Sequence, residues 1–161
     1  MKLSFRIFLW MSLVPLFAAA QLSKQDDSVL WVIKSRDGKS DIKAHHIIMS
    51  SFQIEKMDVL DVDQIKQRFG DIPEKSVLLV KLKSDANLLP LKDFFEKRKI
   101  DFNHYPTIAD GEKITDITKF YIDENSLQEV AVERDSIRIT TNSFYIQQHQ
   151  KANKAKAGYK K

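Results

Sequence analysis

Cysteine is absent from the 161-residue sequence, and glycine and proline occur only four times each. Without thiols the chain has neither disulfides nor a cysteine nucleophile, so its stability must come from packing. The glycines lie far apart, which excludes a glycine-rich phosphate loop, and the sequence contains no G-x-S-x-G motif. We therefore expect no catalytic residues and no bound cofactor.

Histidine is also scarce, and the four residues are His45, His46, His104 and His149. Neighbouring residues of a strand point to opposite faces, so His45 and His46 cannot share one ion if their segment is extended. The acidic residues between positions 110 and 124 lack the spacing and the central glycine of a calcium loop. The sequence therefore predicts no metal site.

The only long apolar run lies at the N-terminus. Basic residues precede the apolar residues 7–17, and three alanines end at Ala20. This order is typical of a signal peptide over residues 1–20. The alternative, a membrane anchor, is disfavoured because the run contains Pro15 and is shorter than the roughly 20 residues that span a bilayer. We expect an exported protein in the periplasm or at the periplasmic face of the outer membrane, with no transmembrane segment after cleavage.

The net charge of +4 is unevenly distributed. Residues 151–161 hold five lysines and no acid, whereas residues 29–150 carry mixed charges. A nucleic-acid surface gathers its basic residues on one face, so we expect no nucleic-acid partner. We interpret residues 21–28 as a polar leader, 29–150 as the folded domain and 151–161 as a disordered basic tail. The alternative role for the tail is a tether to anionic lipid or another polyanion.

A strand, a short helix and a second strand are predicted between residues 54 and 83. Met57 and Val59 alternate with charged residues, as in a strand with one buried face. Asp61 begins a capping box, and Gly70 ends a helix over residues 62–69. The apolar residues 76–82 are typical of a central strand. This order predicts a βαβ crossover with parallel strands.

Part of this pattern occurs twice. The segment at 54–60 returns as LQEVAVE at 127–133, an offset of 73, and Asp37-Gly38 returns as Asp110-Gly111 at the same offset. Beyond Glu133 the offset falls to 60, and a two-residue gap can connect only an antiparallel hairpin. The sequence therefore predicts an α+β fold of two related β-rich halves, 29–83 and 102–141, joined by a helix at 87–99. Asn87 is the expected N-cap of that helix.

The first half contains, in order, an apolar strand with Val32-Ile33, the turn Asp37-Gly38, Ile54-Glu55 and Val59-Leu60, a short helix ending at Phe69-Gly70, and an apolar strand from Val77 closing on Lys83. This order resembles the plug domain of TonB-dependent outer-membrane receptors. In that family the short helix usually ends in Tyr-Gly before Asn-Gly-Val, whereas residues 67–70 and 75–77 here read QRFG and KSV. The resemblance covers residues 29–83 and extends loosely to 102–141.

The resemblance implies a plug-like fold and an envelope compartment, without a transporter's activity. A large transporter barrel needs more than 20 strands of about ten residues, far more than this chain contains. We therefore expect a non-catalytic exported module that binds a protein or envelope component, with a contact patch at Tyr105, Phe120 and Tyr121. The alternative is a small-ligand carrier or envelope enzyme with its site between the halves.

Overall fold

The computed structural model describes residues 27–34 and 40–158. These residues form a sheet-rich α+β fold. The predicted signal peptide, most of the leader and the Asp37-Gly38 turn lie outside them. The strands are Val29–Ile33 (β1), Ile42–Ala44 (β2), His46–Ile48 (β3), Ile54–Leu60 (β4), Ser76–Leu82 (β5), Leu88–Pro90 (β6), Thr107–Ala109 (β7), Glu112–Ile114 (β8), Phe120–Asp123 (β9), Leu127–Val132 (β10) and Ile137–Thr141 (β11). The helices are Val62–Phe69 (α1), Leu91–Lys97 (α2) and Asn142–Gly158 (α3).

The first four-stranded sheet, here the N-terminal sheet, has the order β2-β1-β5-β4. Strand β1 runs parallel to β5, while β2 and β4 run antiparallel to their neighbours. Helix α1 follows β4 at the predicted residues. The Asp61 carboxylate accepts a hydrogen bond from the Gln64 N–H, and the Gln64 side chain accepts one from the Asp61 N–H. Gly70, with φ of +74°, ends the helix.

The predicted parallel crossover is wrong, because β4 and β5 pair with each other antiparallel. An eight-residue helix is about 12 Å long, whereas a seven-residue strand is about 23 Å long. Helix α1 thus spans only about half the length of β4, and the chain re-enters the sheet beside the end of β4, with Val77 opposite Leu60. The helix covers the end of the hairpin, where Leu60, Ile65 and Val77 are buried together.

The second four-stranded sheet, here the C-terminal sheet, has the order β8-β7-β11-β10 and repeats the strand directions of the first. The register is also repeated, since Met57 faces Val80 as Val130 faces Ile139. Both outer strands, β4 and β10, carry a register shift near their first residues. The hairpin β10–β11 is antiparallel, as the short gap predicts.

Two details of the predicted alignment need correction. Val80 corresponds to Ile139, so the offset falls from 73 to 59, and the chain between the paired residues Met57 and Val80 is 14 residues longer than that between Val130 and Ile139. The Lys34 N–H donates to Val80 O as the Asp110 N–H donates to Ile139 O, both at 2.9 Å. The ladder therefore matches Asp110 with Lys34, and not with Asp37.

A third sheet, of order β3-β9-β6, connects the two parts of the chain. Strand β3 lies parallel to β9, and the His46 ring stacks on Phe120 with ring centroids 4.7 Å apart. The larger core lies between this sheet, α2 and the C-terminal sheet. Its buried members are Ile48, Leu91, Phe94, Phe95, Ala109, Ile114, Phe120, Ile122, Ile137 and Ile139.

The predicted helix at 87–99 is shorter than expected, since α2 begins at Leu91 and residues 88–90 form β6. Asn87 does not cap this helix. Its N–H donates to the buried Asp123 carboxylate and its side-chain amide donates to Glu124. These bonds hold the chain extended beside β9, so the helix starts only after Pro90.

The predicted disordered tail is wrong for residues 151–158, which continue α3. Alanine and lysine, which make up most of residues 151–158, have high helix propensity, so the composition of the tail also favours a helix. Asp110 anchors the start of α3: its carboxylate accepts hydrogen bonds from the Thr141 N–H at 2.7 Å and the Thr141 hydroxyl at 2.8 Å. Burial raises the pKa of Asp110, and these two bonds oppose that rise.

We predict that Asp61→Ala lowers the free energy of unfolding by about 1 kcal/mol, because the first turn of α1 loses its capping carboxylate. Asp63→Ala, in the same exposed turn, is the matched control and should cost only a few tenths of a kcal/mol through the helix dipole. Urea unfolding followed by circular dichroism measures both. Equal losses in the two variants would contradict the capping role.

Candidate functional site

The most exposed regular element of the N-terminal sheet is its outer strand, β4. Residues 55–59 are all exposed, and among the residues that the structure describes the strand pairs only with β5. Its free edge therefore presents backbone N–H and C=O groups that can pair with another strand. Two apolar side chains also reach solvent here, with Met57 48% and Val59 64% exposed.

These apolar side chains belong to a face that is covered in the C-terminal sheet and only partly covered in the N-terminal sheet. In the C-terminal sheet, Ile137 and Ile139 on this face are 0% and 1% exposed and pack in the larger core. The matching positions of β5 are Leu78, which is half-buried, and Val80, which is buried. The row from Val59 through Leu78 to the half-buried Trp31 reaches solvent.

The sequence identified Met57 and Val59 as one face of a strand but predicted that this face is buried, and that prediction is wrong. Alternation of apolar and polar residues shows only that the two faces differ. Whether a helix lies over the apolar face depends on distant segments. The cover of the C-terminal sheet includes Phe94 and Phe95 of α2, whereas α1 covers the opposite face of the N-terminal sheet.

A groove of about 910 Å³ lies beside the C-terminal sheet. Its lining comes from residues 92–118, with Phe102 and Tyr105 as its aromatic members. None of the lining belongs to residues 29–83, so this groove is not the site between the halves that the alternative function requires. The pKa of Asp116 in its wall is lowered because the Thr118 hydroxyl and N–H donate to the carboxylate, which is a local turn contact.

The three predicted contact residues do not form one patch. Tyr105 is half-buried in the groove wall, and Phe120 is 1% exposed inside the larger core. Tyr121, also half-buried, lies on β9 between Ile47 and Pro90. Phe120 and Tyr121 point to opposite faces of β9, as expected for neighbours in a strand, and Phe120 takes the inner face.

The histidines of the first half have separate partners. His45 Nε2 lies 2.9 Å from Glu74, and His46 Nε2 lies 2.9 Å from Asp27. Hydrogen bonds from Lys119 and His46 lower the pKa of Asp27, and the bond with Asp27 raises the pKa of Lys119. Asp27 thus joins β3 to the residue preceding β9, next to the stacked rings of His46 and Phe120.

Comparison with protein-family models, curated proteins and solved structures found no match. Within residues 27–34 and 40–158, no helix has both the length and the hydrophobicity of a membrane span. The same residues contain no group of three or more histidine, aspartate or glutamate side chains placed to hold a metal ion.

We predict that the Asp27 carboxyl titrates below the ordinary aspartate range in the folded protein. Because the folded pKa is depressed, the Asp27 contacts stabilise the fold above the ordinary pKa and are lost as the pH falls through the folded value. Lys119→Met should move the midpoint up toward the ordinary range. NMR titration of the side-chain carboxyl measures both values. An unchanged midpoint in Lys119→Met would show that the lysine does not set this pKa.

Proposed function

We propose that this chain is a non-catalytic exported interaction module, similar to a receptor plug domain, that binds a protein or envelope component. The observation that carries the proposal is the free edge of β4 with Met57 and Val59 exposed beside it. Pairing with a strand edge is an established mode of peptide recognition: main-chain hydrogen bonds give affinity and alternate side chains give specificity.

The repeated sheet supports the kinship from which the proposal starts. Two sheets with one strand order, one set of directions and one register are expected of a module that was duplicated. In this interpretation the first copy kept its short helix between the last two strands, and the second copy lost it. The resemblance to a plug domain applies to the first copy, which is also the copy whose apolar face is partly open beside its outer strand.

The repeat also explains why the surface suits binding. An apolar sheet face that reaches solvent costs free energy in the isolated chain, and a partner that covers it recovers that cost. In the C-terminal sheet the matching face contributes Ile137 and Ile139 to the core. We infer that a partner covers the open face of the N-terminal sheet in a comparable way.

Capture of proteins from envelope extract tests the proposal, with the unmodified chain and two matched variants as bait. Val59 and Val132 hold equivalent positions on β4 and β10 and are similarly exposed, at 64% and 57%. We expect Val59→Lys to abolish retention of the partner protein, because a buried lysine without a counter-charge opposes the contact. Val132→Lys should retain the partner as the unmodified chain does.

Circular dichroism and thermal unfolding establish that both variants remain folded. A partner retained equally by the two variants would show that binding does not use β4. If the unmodified chain binds neither another protein nor a second copy of itself, the proposal of an interaction module through this edge fails.

A further inference from the structure

We propose that β4 pairs antiparallel with β4 of a second copy of this chain, centred on Met57. The pairing would join two four-stranded N-terminal sheets into one continuous sheet with two-fold symmetry. The inference rests on the proposed function, because it takes the same edge as the binding surface. It adds that the strand bound at this edge is β4 of a second copy.

The hydrogen-bonding pattern of β4 fits a two-fold axis at Met57. In the C-terminal sheet the Glu133 N–H donates to the directly opposed Ser136 O at 2.8 Å. Hydrogen-bonded and non-hydrogen-bonded residue pairs alternate along an antiparallel ladder. The N–H and C=O of Val132, which precedes Glu133, therefore point away from β11. Because the register is repeated, the backbone N–H and C=O of Val59 on β4 point away from β5 in the same way, and so do those of Met57 two residues earlier. Two Met57 residues can therefore exchange both of their backbone hydrogen bonds.

The charges of β4 form a pattern that is complementary to itself. In an antiparallel pair centred on Met57, Lys56 of each copy lies directly opposite Asp58 of the other. Opposite charges at directly opposed positions stabilise a strand pair, and like charges destabilise it. In the single chain Lys56 and Asp58 form an ion pair at 2.7 Å and remain 68% and 50% exposed. Both can therefore exchange this ion pair for one with the second copy.

This pattern distinguishes a second copy from an arbitrary strand. A lysine on an outer strand normally discourages edge-to-edge pairing. Here the penalty is removed only by a strand that places an acid opposite Lys56 and a base opposite Asp58, which β4 itself does. The equivalent residues on β10 are Glu129 and Ala131, which give no such pairs. The β10 edge is therefore not self-complementary about Val130, the residue that matches Met57.

The same arrangement extends the open apolar face. A two-fold axis perpendicular to a sheet maps each face onto itself, so Met57 and Val59 of both copies lie on one side. At the junction the two Met57 side chains lie directly opposite each other, and Val59 of each copy, which continues the row of Leu78 and Trp31, lies opposite Glu55 of the other copy. Contact between the two sets of side chains removes apolar area from water beyond the backbone pairing.

Sedimentation of the purified protein, expressed from the full sequence, tests the inference through charge exchange. We expect the unmodified chain to form a dimer. Lys56→Asp places two acids opposite each other, and Asp58→Lys places two bases opposite each other, each twice per dimer. Either variant should weaken dimerisation by about tenfold or more. An equimolar mixture of the two variants should dimerise again, because acids then face bases.

The double variant Lys56→Asp with Asp58→Lys should dimerise as the unmodified chain does, since its pattern is again self-complementary. Val132→Lys on β10 should leave the dimer intact. Circular dichroism checks the fold of each variant, and exposed ion pairs of this kind contribute little to folding. The inference is overturned if the unmodified chain is monomeric through the high micromolar range, or if both single variants dimerise as strongly as it does.

This test separates the inference from the proposed function. A monomeric chain that still captures an envelope protein through β4 removes the second copy as occupant and leaves the interaction module intact. A dimer that resists both single charge reversals, Lys56→Asp and Asp58→Lys, would show that the copies meet elsewhere, and it would overturn the β4 pairing.

Discussion

Burial of Phe94 and Phe95 against the C-terminal sheet is the interaction on which the rest of the fold depends. Both rings are 0% exposed, and they pack in one cluster with Ile139, Ile122 and other members of two sheets. Because β9 pairs with β3 from the first half, this core also holds the N-terminal part of the chain. Removing large buried rings costs about 3–5 kcal/mol each in well-packed cores, so the cluster accounts for a large share of the stability.

The two four-stranded sheets meet the same physical requirement differently. Each has apolar faces that are stable only when covered. In the C-terminal sheet the cover of the Ile137 and Ile139 face includes α2. In the N-terminal sheet α1 covers the opposite face through Ile65, and the face matching that of Ile137 stays partly open. The extra 14 residues after β4 therefore change which face is buried without changing strand order or register.

The open face and the free edge of β4 lie together, and this coincidence gives the interaction proposals their physical basis. An edge alone offers backbone groups that water also satisfies, and an apolar face alone offers no register. Together they allow main-chain bonds to set the alignment and apolar contact to supply free energy. Lys56 and Asp58 then restrict which strand can bind, since a mismatched partner would leave charges without counter-charges.

Local features were determined by the sequence alone: the capping box of α1, its end at Gly70, the antiparallel β10–β11 hairpin and the mixed α+β class. Each depends on neighbouring residues, so short-range patterns suffice to predict it. The direction of β5 beside β4, the position of Asn87 and the exposure of Met57 and Val59 were decided only by the tertiary structure. They depend on which distant strand or helix is available as a neighbour. The chain re-enters the sheet beside the end of β4, Asp123 holds Asn87 in an extended segment, and no helix of the described residues buries the face of β4 that alternation marks as apolar.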